Sequence, residues 1–169
     1  MNSATFKTII GFFKTMIGKY TSLDVGKNYL EGIYNYRKYS DALATSGQPT
    51  EAQFKLIKEA GFDYVINLAP HSAENALPDE TKTTSDLNIA YTHIPVDFKN
   101  PTEADFEQFV SSYQKCGDNK VWVHCAANMR VSAFLYKYRR DVLGMPESEA
   151  RKVMDTVWEP FGVWQDFLG

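Results

Sequence analysis

The run Val121-Trp122-Val123-His124-Cys125 is apolar until it ends in His-Cys, and four further residues lead to Arg130 and a helix-like stretch, Val131 to Leu143. A strand that feeds straight into a helix commits the chain to layered α/β packing, with the helix laid on a sheet. It also sets a cysteine at a strand tip facing a helix N-terminus, where backbone N–H groups and the helix dipole favour an anion. The same field favours thiolate over thiol. Arg130 adds a planar guanidinium fork for a tetrahedral oxyanion. Nucleophile, anion cradle and guanidinium together attack a phosphoryl group or handle a sulfur atom.

The flanking sequence repeats the alternation. A strand is expected near Tyr34 to Tyr39 in a mixed, aromatic-rich stretch from Thr21 to Ser40, followed by the short strand and turn Leu43 to Thr50. Thr50 and Gln53 have capping-box spacing, so a helix runs from Glu51 to Ala60 and ends at Gly61. Tyr64 to Leu68 reads as a buried strand, Asp79 to Leu87 as a short helix and Ala90 to Val96 as a further strand. Thr102 caps a helix that carries Phe106, Phe109, Val110 and Tyr113 on one face. Gly117, Asp118 and Asn119 turn the chain into the strand Lys120 to His124. A helix ends at Gly144, another opens at Pro146, and an aromatic segment with Trp158, Phe161 and Trp164 closes the chain; the two tryptophans read as packing. The fold class is α/β, a central, mainly parallel sheet flanked by helices. Ligands of such sheets bind at the carboxyl ends of the strands. Cys125 and Asp97 each follow such an end, so both should open on one edge.

With 169 residues the chain is long enough for one well-cored domain, and a formal net charge of −3 without a basic run argues against a nucleic-acid partner. Two cysteines give no disulfide framework, and no Cys/His spacing suggests a metal; no cofactor is implied. That fits a reducing, cytoplasmic setting. Cys116 reads as a bystander, with a resolving role left open.

Residues 1–20 read as an N-terminal amphipathic helix and 21–169 as the catalytic domain. Phe6, Ile9, Ile10, Phe13 and Ile17 share one helical face, with Lys7, Lys14 and Lys19 elsewhere around it. Lys14 interrupts the apolar stretch, which argues against a secretory signal. An apolar stripe usually means packing on the domain or on a second subunit, while the cationic character also suits a weak membrane-surface contact.

His124-Cys125, Arg130 and Ser132 resemble the signature of cysteine-dependent protein tyrosine and dual-specificity phosphatases. The order Ser46-Gly47-Gln48-Pro49-Thr50, Val65-Ile66-Asn67-Leu68, His93-Ile94-Pro95-Val96 and the Cys loop is similar to a bacterial branch of that superfamily, over roughly Tyr34 to Val142. The resemblance implies a dual-specificity-like phosphatase fold and hydrolysis of a phosphomonoester, from a protein or a small molecule, through a phosphocysteine. In that reading Cys125 is the nucleophile, and Arg130 with the N–H groups of Ala126, Ala127, Asn128 and Met129 binds the phosphoryl oxygens. Ser132 assists the sulfur as leaving group, His124 orients the Cys from behind, and Asp97 is the general acid, with Asp105 and Glu103 as rivals. Gln48 reads as part of a connector and helix cap.

The loop departs from the pattern. Four residues rather than five separate Cys125 from Arg130, and Val131 stands before Ser132. The Cys-to-Ser spacing is that of a phosphatase; the Cys-to-Arg spacing is similar to that of a rhodanese-type sulfurtransferase. Asn128 stands where the loop usually has glycine, and Asn tolerates left-handed backbone better than most residues. Sulfur transfer at Cys125 and a non-catalytic phosphate-binding module are the competing readings.

Overall fold

The structure is a computed structural model that describes residues 2–21 and 29–169. Residues 22–28 of the mixed stretch lie outside the described residues. Five strands form one sheet among the described residues: β1 (Arg37–Lys38), β2 (Leu43–Ser46), β3 (Tyr64–Asn67), β4 (Ala90–His93) and β5 (Val121–His124). Their order is β1-β2-β5-β3-β4, with every neighbouring pair parallel except β1 with β2. The sheet is thus mainly parallel, as the alternation of elements requires, and β5 lies at its centre.

Both faces are covered, and the strands split their side chains with period two. Val121 and Val123 of β5, Ile66 of β3 and Leu43 of β2 face one core with Phe106, Phe109 and Phe134. Trp122, Val65 and Ala44 face the other with Phe54, Ile57 and Ile89. Helices α2 (Glu51–Glu59) and α3 (Glu80–Asp86) cover the second face; α4 (Glu103–Lys115), α5 (Met129–Lys137), α6 (Glu147–Ala150), α7 (Lys152–Val157) and α8 (Val163–Leu168) cover the first.

Local signals set the helix ends. Thr50 and Gln53 form a full capping box on α2, and Gly61, at φ +84°, follows its end. Thr102 and Asp105 form a second box on α4. Strand β4 stops at His93 rather than at Val96, because Pro95 has no N–H to continue the ladder. The helix after the Cys loop is shorter than Val131 to Leu143: α5 ends at Lys137 and passes into a π-helical turn, Tyr138–Val142. Trp158 and Trp164 are fully buried, and Trp164 Nε1 also donates to the Phe98 carbonyl at 2.9 Å, tying down the loop after β4.

The N-terminal helix α1 (Ser3–Thr21) docks on the domain, but not through its apolar stripe. Phe6, Ile10, Phe13 and Ile17 are exposed, and Thr5 and Thr8 face inward instead. Thr8 Oγ1 donates to the Val157 carbonyl at 2.6 Å, and Thr5 Oγ1 accepts from Glu159 N at 2.9 Å. The Tyr34 hydroxyl donates to the Thr8 carbonyl, its ring set between Gly11 and Gly47. A Cβ at Gly11 would stand 2.5 Å from that ring, and one at Gly47 2.4 Å. Close approach, paid for by small residues and satisfied hydroxyls, has overridden hydrophobic periodicity here. The side chain of Lys19 lies outside the described residues.

Candidate active site

The site grows from the end of β5. His124 and Cys125 are fully buried, with β2 and β3 on either side. Cys125 N donates to the Ser46 carbonyl at 3.3 Å, and Leu68 N donates to the His124 carbonyl at 2.9 Å, so the cysteine leaves a fixed platform.

Its loop is held by side chains from distant segments. Asn75 Nδ2 donates to the Ala126 carbonyl at 2.9 Å, and Gln48 N donates to the same oxygen at 3.3 Å. Asn35 Nδ2 donates to the Ala127 carbonyl at 2.9 Å. In a trans peptide the N–H points opposite to the C=O, and no described peptide bond is cis. Drawing these two carbonyls outward therefore turns the N–H groups of Ala127 and Asn128 the other way. The Asn128 carbonyl accepts from Ser132 N at 3.0 Å as α5 begins.

Asn128 adopts the left-handed conformation, φ +64° and ψ 3°, which its type allowed. Its Nδ2 donates to the Asn35 carbonyl and to Thr45 Oγ1, each at 2.9 Å. Arg130 is 9% exposed, donates from Nε to the Val96 carbonyl at 2.9 Å, and lies 5.2 Å from the centroid of the Phe98 ring. Those two contacts aim the fork's terminal nitrogens. Ser132 is buried, and its hydroxyl donates to the Met129 carbonyl at 3.1 Å.

Behind the loop stands a buried carboxylate. Glu80 Oε1 accepts from His124 Nε2 at 2.9 Å and from Asn67 Nδ2 at 3.0 Å, while Oε2 accepts from Gln48 Nε2. Burial pushes the Glu80 carboxyl up, but the His124 charge and hydrogen bonds from His124, Gln48 and Tyr91 outweigh it and hold it at about 2. Burial also raises the Tyr34 phenol, and a charge on Cys125 raises it further. The residues in contact with the loop are thus more numerous than the motif suggested. Asn35, Asn75, Asn67 and Glu80 give no local signal; Gln48, read as a connector, also binds the buried carboxylate.

Asp97 is exposed, with Oδ1 accepting from Lys99 N at 2.9 Å, and does not reach the cleft lining. Its rivals are engaged elsewhere: Asp105 caps α4, and Glu103 pairs with Lys137 at 3.2 Å. Glu74 is the carboxylate on the lining. Cys116 is buried at the end of α4, at the opposite end of β5 from Cys125, which removes it as a resolving thiol. Burial raises its thiol. Among the described residues no group of His, Cys, Asp and Glu has the geometry to hold a metal ion, and no helix is long and apolar enough to cross a membrane.

Cys125, Ala126, Ala127, Met129 and Arg130 open into a cleft of about 380 Å³, which α1 walls on one side. A thiol, inward N–H groups and a guanidinium at one cleft floor suit nucleophilic attack on a bound tetrahedral anion.

Known proteins carry the same architecture. In the crystal, a DUF442 protein of Shewanella putrefaciens CN-32 superposes with a TM-score of 0.73 at 36% identity, over 82% of this chain and 91% of that one. TpbA of P. aeruginosa, crystallised with pTyr, shares the fold with a TM-score of 0.60 at 18% identity, over 72% of each chain. A "Beta-lactamase hydrolase-like protein" of Agrobacterium fabrum is 30% identical over 96 residues, 55% of this chain. The chain spans only 22% of that curated relative's length. A family model described as "DSP-PTPase phosphatase fused to NAD+ Kinase" matches residues 16–160. The match takes in every strand of the sheet and the whole Cys loop: the chain belongs to this family, of the cysteine-dependent tyrosine and dual-specificity phosphatase type.

Proposed function

We propose that the chain hydrolyses phosphomonoesters, aryl phosphates such as phosphotyrosine included, through a phosphocysteine on Cys125. The observation that carries this reading is the pinning of the Ala126 and Ala127 carbonyls by Asn75, Gln48 and Asn35, which turns the N–H groups of Ala127 and Asn128 away from those partners, in a loop bounded by Cys125 and Arg130. The Cys125 thiolate attacks phosphorus in line; the S–P bond forms as the P–O bond to the leaving group breaks. Charge on the equatorial oxygens is met by those N–H groups and by Arg130. Asp97 lies outside the lining but next to Phe98, which is on it; with its loop turned in over bound substrate it gives the leaving oxygen its proton and then takes one from the water that attacks the phosphocysteine, releasing phosphate and the thiolate. Ser132 assists the departing sulfur by turning its hydroxyl from Met129. His124, held by Glu80, fixes the strand end from which Cys125 departs. A working thiolate suits a reducing cytoplasm.

The exposed row Phe6, Ile10, Phe13 and Ile17 fits weak contact with an anionic membrane surface. Lys7 and Lys14 flank it, and the first acidic residue of this net-negative chain is Asp24.

Turnover of para-nitrophenyl phosphate tests the mechanism. Cys125→Ser should abolish it, with a phosphorylated Cys125 trapped by mass spectrometry in the parent. Asp97→Asn should lower kcat by about 10²–10⁴-fold for alkyl phosphates and much less for nitrophenyl phosphate, whose leaving group needs little protonation. An intact alkyl rate in Asp97→Asn, with the loss appearing in Glu74→Gln, would move the acid to Glu74.

A further inference from the structure

Helix α1 does more than cover the domain. Only its last turns fall within the family match, which begins at residue 16, yet Thr8, Ile9, Phe12 and Phe13 line the same cleft as Cys125 and Arg130. Ala73, Phe98 and Met129 line it as well. Above the phosphate-binding floor the lining is therefore mostly apolar. Among the described residues Arg130 is the single cationic residue on the lining, and Glu74 contributes a carboxylate. A second phosphate or a sugar polyol would find repulsion or unpaired polar groups here, whereas an alkyl or aryl body would be removed from water. The helix is seated firmly enough to select, through the bonds of Thr5, Thr8 and Tyr34. Asn35 Nδ2 joins it to the catalytic loop, donating to Thr8 Oγ1 at 3.1 Å as well as to the Ala127 carbonyl.

We propose that α1 is the specificity wall of this phosphatase, selecting singly phosphorylated substrates whose apolar body packs on Ile9 and Phe13. The proposal rests on the phosphatase reading and deepens it.

Two substrates with nearly equal leaving groups isolate the wall: phenyl phosphate and 4-butylphenyl phosphate. The parent chain should bind the butyl ester with about tenfold lower KM, as burial of part of a four-carbon tail implies, at similar kcat. The double variant Ile9→Ser/Phe13→Ser removes apolar surface without touching the bonds that seat α1. It should erase that preference, raising KM for the butyl ester about tenfold more than KM for phenyl phosphate. An inositol trisphosphate should be turned over at least tenfold less efficiently than phenyl phosphate by the parent. A butyl preference that survives the double variant, its absence in the parent, or preference for the trisphosphate would overturn the proposal. If the parent turns over no ester, the phosphatase reading fails instead. The wall is then judged by calorimetry with phenyl and 4-butylphenyl phosphonate, where equal affinity for the two overturns it.

Discussion

Asn128 offers the sharpest test of how the catalytic loop is built, because its backbone and its side chain do separate things. Its φ of +64° is the left-handed conformation, and its Nδ2 makes two buried bonds, to the Asn35 carbonyl and Thr45 Oγ1. Replacement by either Gly or Ala removes both bonds, a loss of about 2 kcal/mol at roughly 1 kcal/mol per bond. Asn128→Ala then carries the left-handed strain as well, about 1–2 kcal/mol. Asn128→Gly avoids that strain but loses about 0.5–1 kcal/mol to the greater freedom of the unfolded chain. The two variants should therefore rank with Gly more stable than Ala by about 0.5–1 kcal/mol, the reverse of the order expected in a helix interior. Urea unfolding at pH 7 measures this directly, provided the slopes match. Vanadate affinity supplies an independent readout and should fall further in the Ala variant, whose loop must shift its inward N–H groups. An Ala variant as stable as the Gly variant would refute the reasoning, since the left-handed turn would then impose no cost.

Glu80, held at about 2, contributes stability that is present above its unfolded value of about 4.3 and is lost as pH falls towards 2. Glu80→Gln should cost on the order of 3 kcal/mol at pH 7 and flatten the acid limb between pH 5 and 2; parallel limbs for parent and variant would count against the assignment. Gly47→Ala places a Cβ 2.4 Å from the Tyr34 ring and 3.0 Å from the Ala126 carbonyl. It should destabilise by about 1–3 kcal/mol and raise hydrogen exchange along α1, while unchanged exchange would mean that Tyr34 does not seat the helix. Vesicles rich in phosphatidylserine should sediment the parent more than phosphatidylcholine vesicles do. Phe6→Ser/Ile10→Ser and Lys7→Glu/Lys14→Glu should each abolish that difference, and retention in both would exclude the membrane contact.

Short-range chemistry was legible in the sequence. The capping residues Thr50 and Thr102, the turn at Gly61, the strand Val121–His124 and the left-handed tolerance of Asn128 all depend on neighbours within a few positions. The supports of the loop are different. Asn35 meets Ala127 across 92 positions, Asn75 meets Ala126 across 51, and His124 meets Glu80 across 44. An asparagine in a connector or a glutamate opening a short helix looks the same whether it faces water or a buried backbone oxygen. The expectation that the apolar stripe of α1 packs on the domain failed for a related reason. Periodicity reports which face is apolar, and the docked face was chosen by Thr5, Thr8 and Gly11, small enough to bring the helix backbone against Tyr34.

The tethering of the Cys loop by Asn35, Gln48 and Asn75 has a consequence for how quickly and how quietly an anion is taken up. Three segments far apart in sequence hold two successive carbonyls of a short loop, so its dipoles are oriented before any ligand arrives. An incoming oxyanion exchanges water for fixed N–H groups and has no loop to order. Association with a small tetrahedral anion should then be a single fast phase, ungated by conformational exchange, with little change in heat capacity because hardly any apolar surface moves. The heat-capacity signature is left to the other end of the ligand, where an apolar body meets α1.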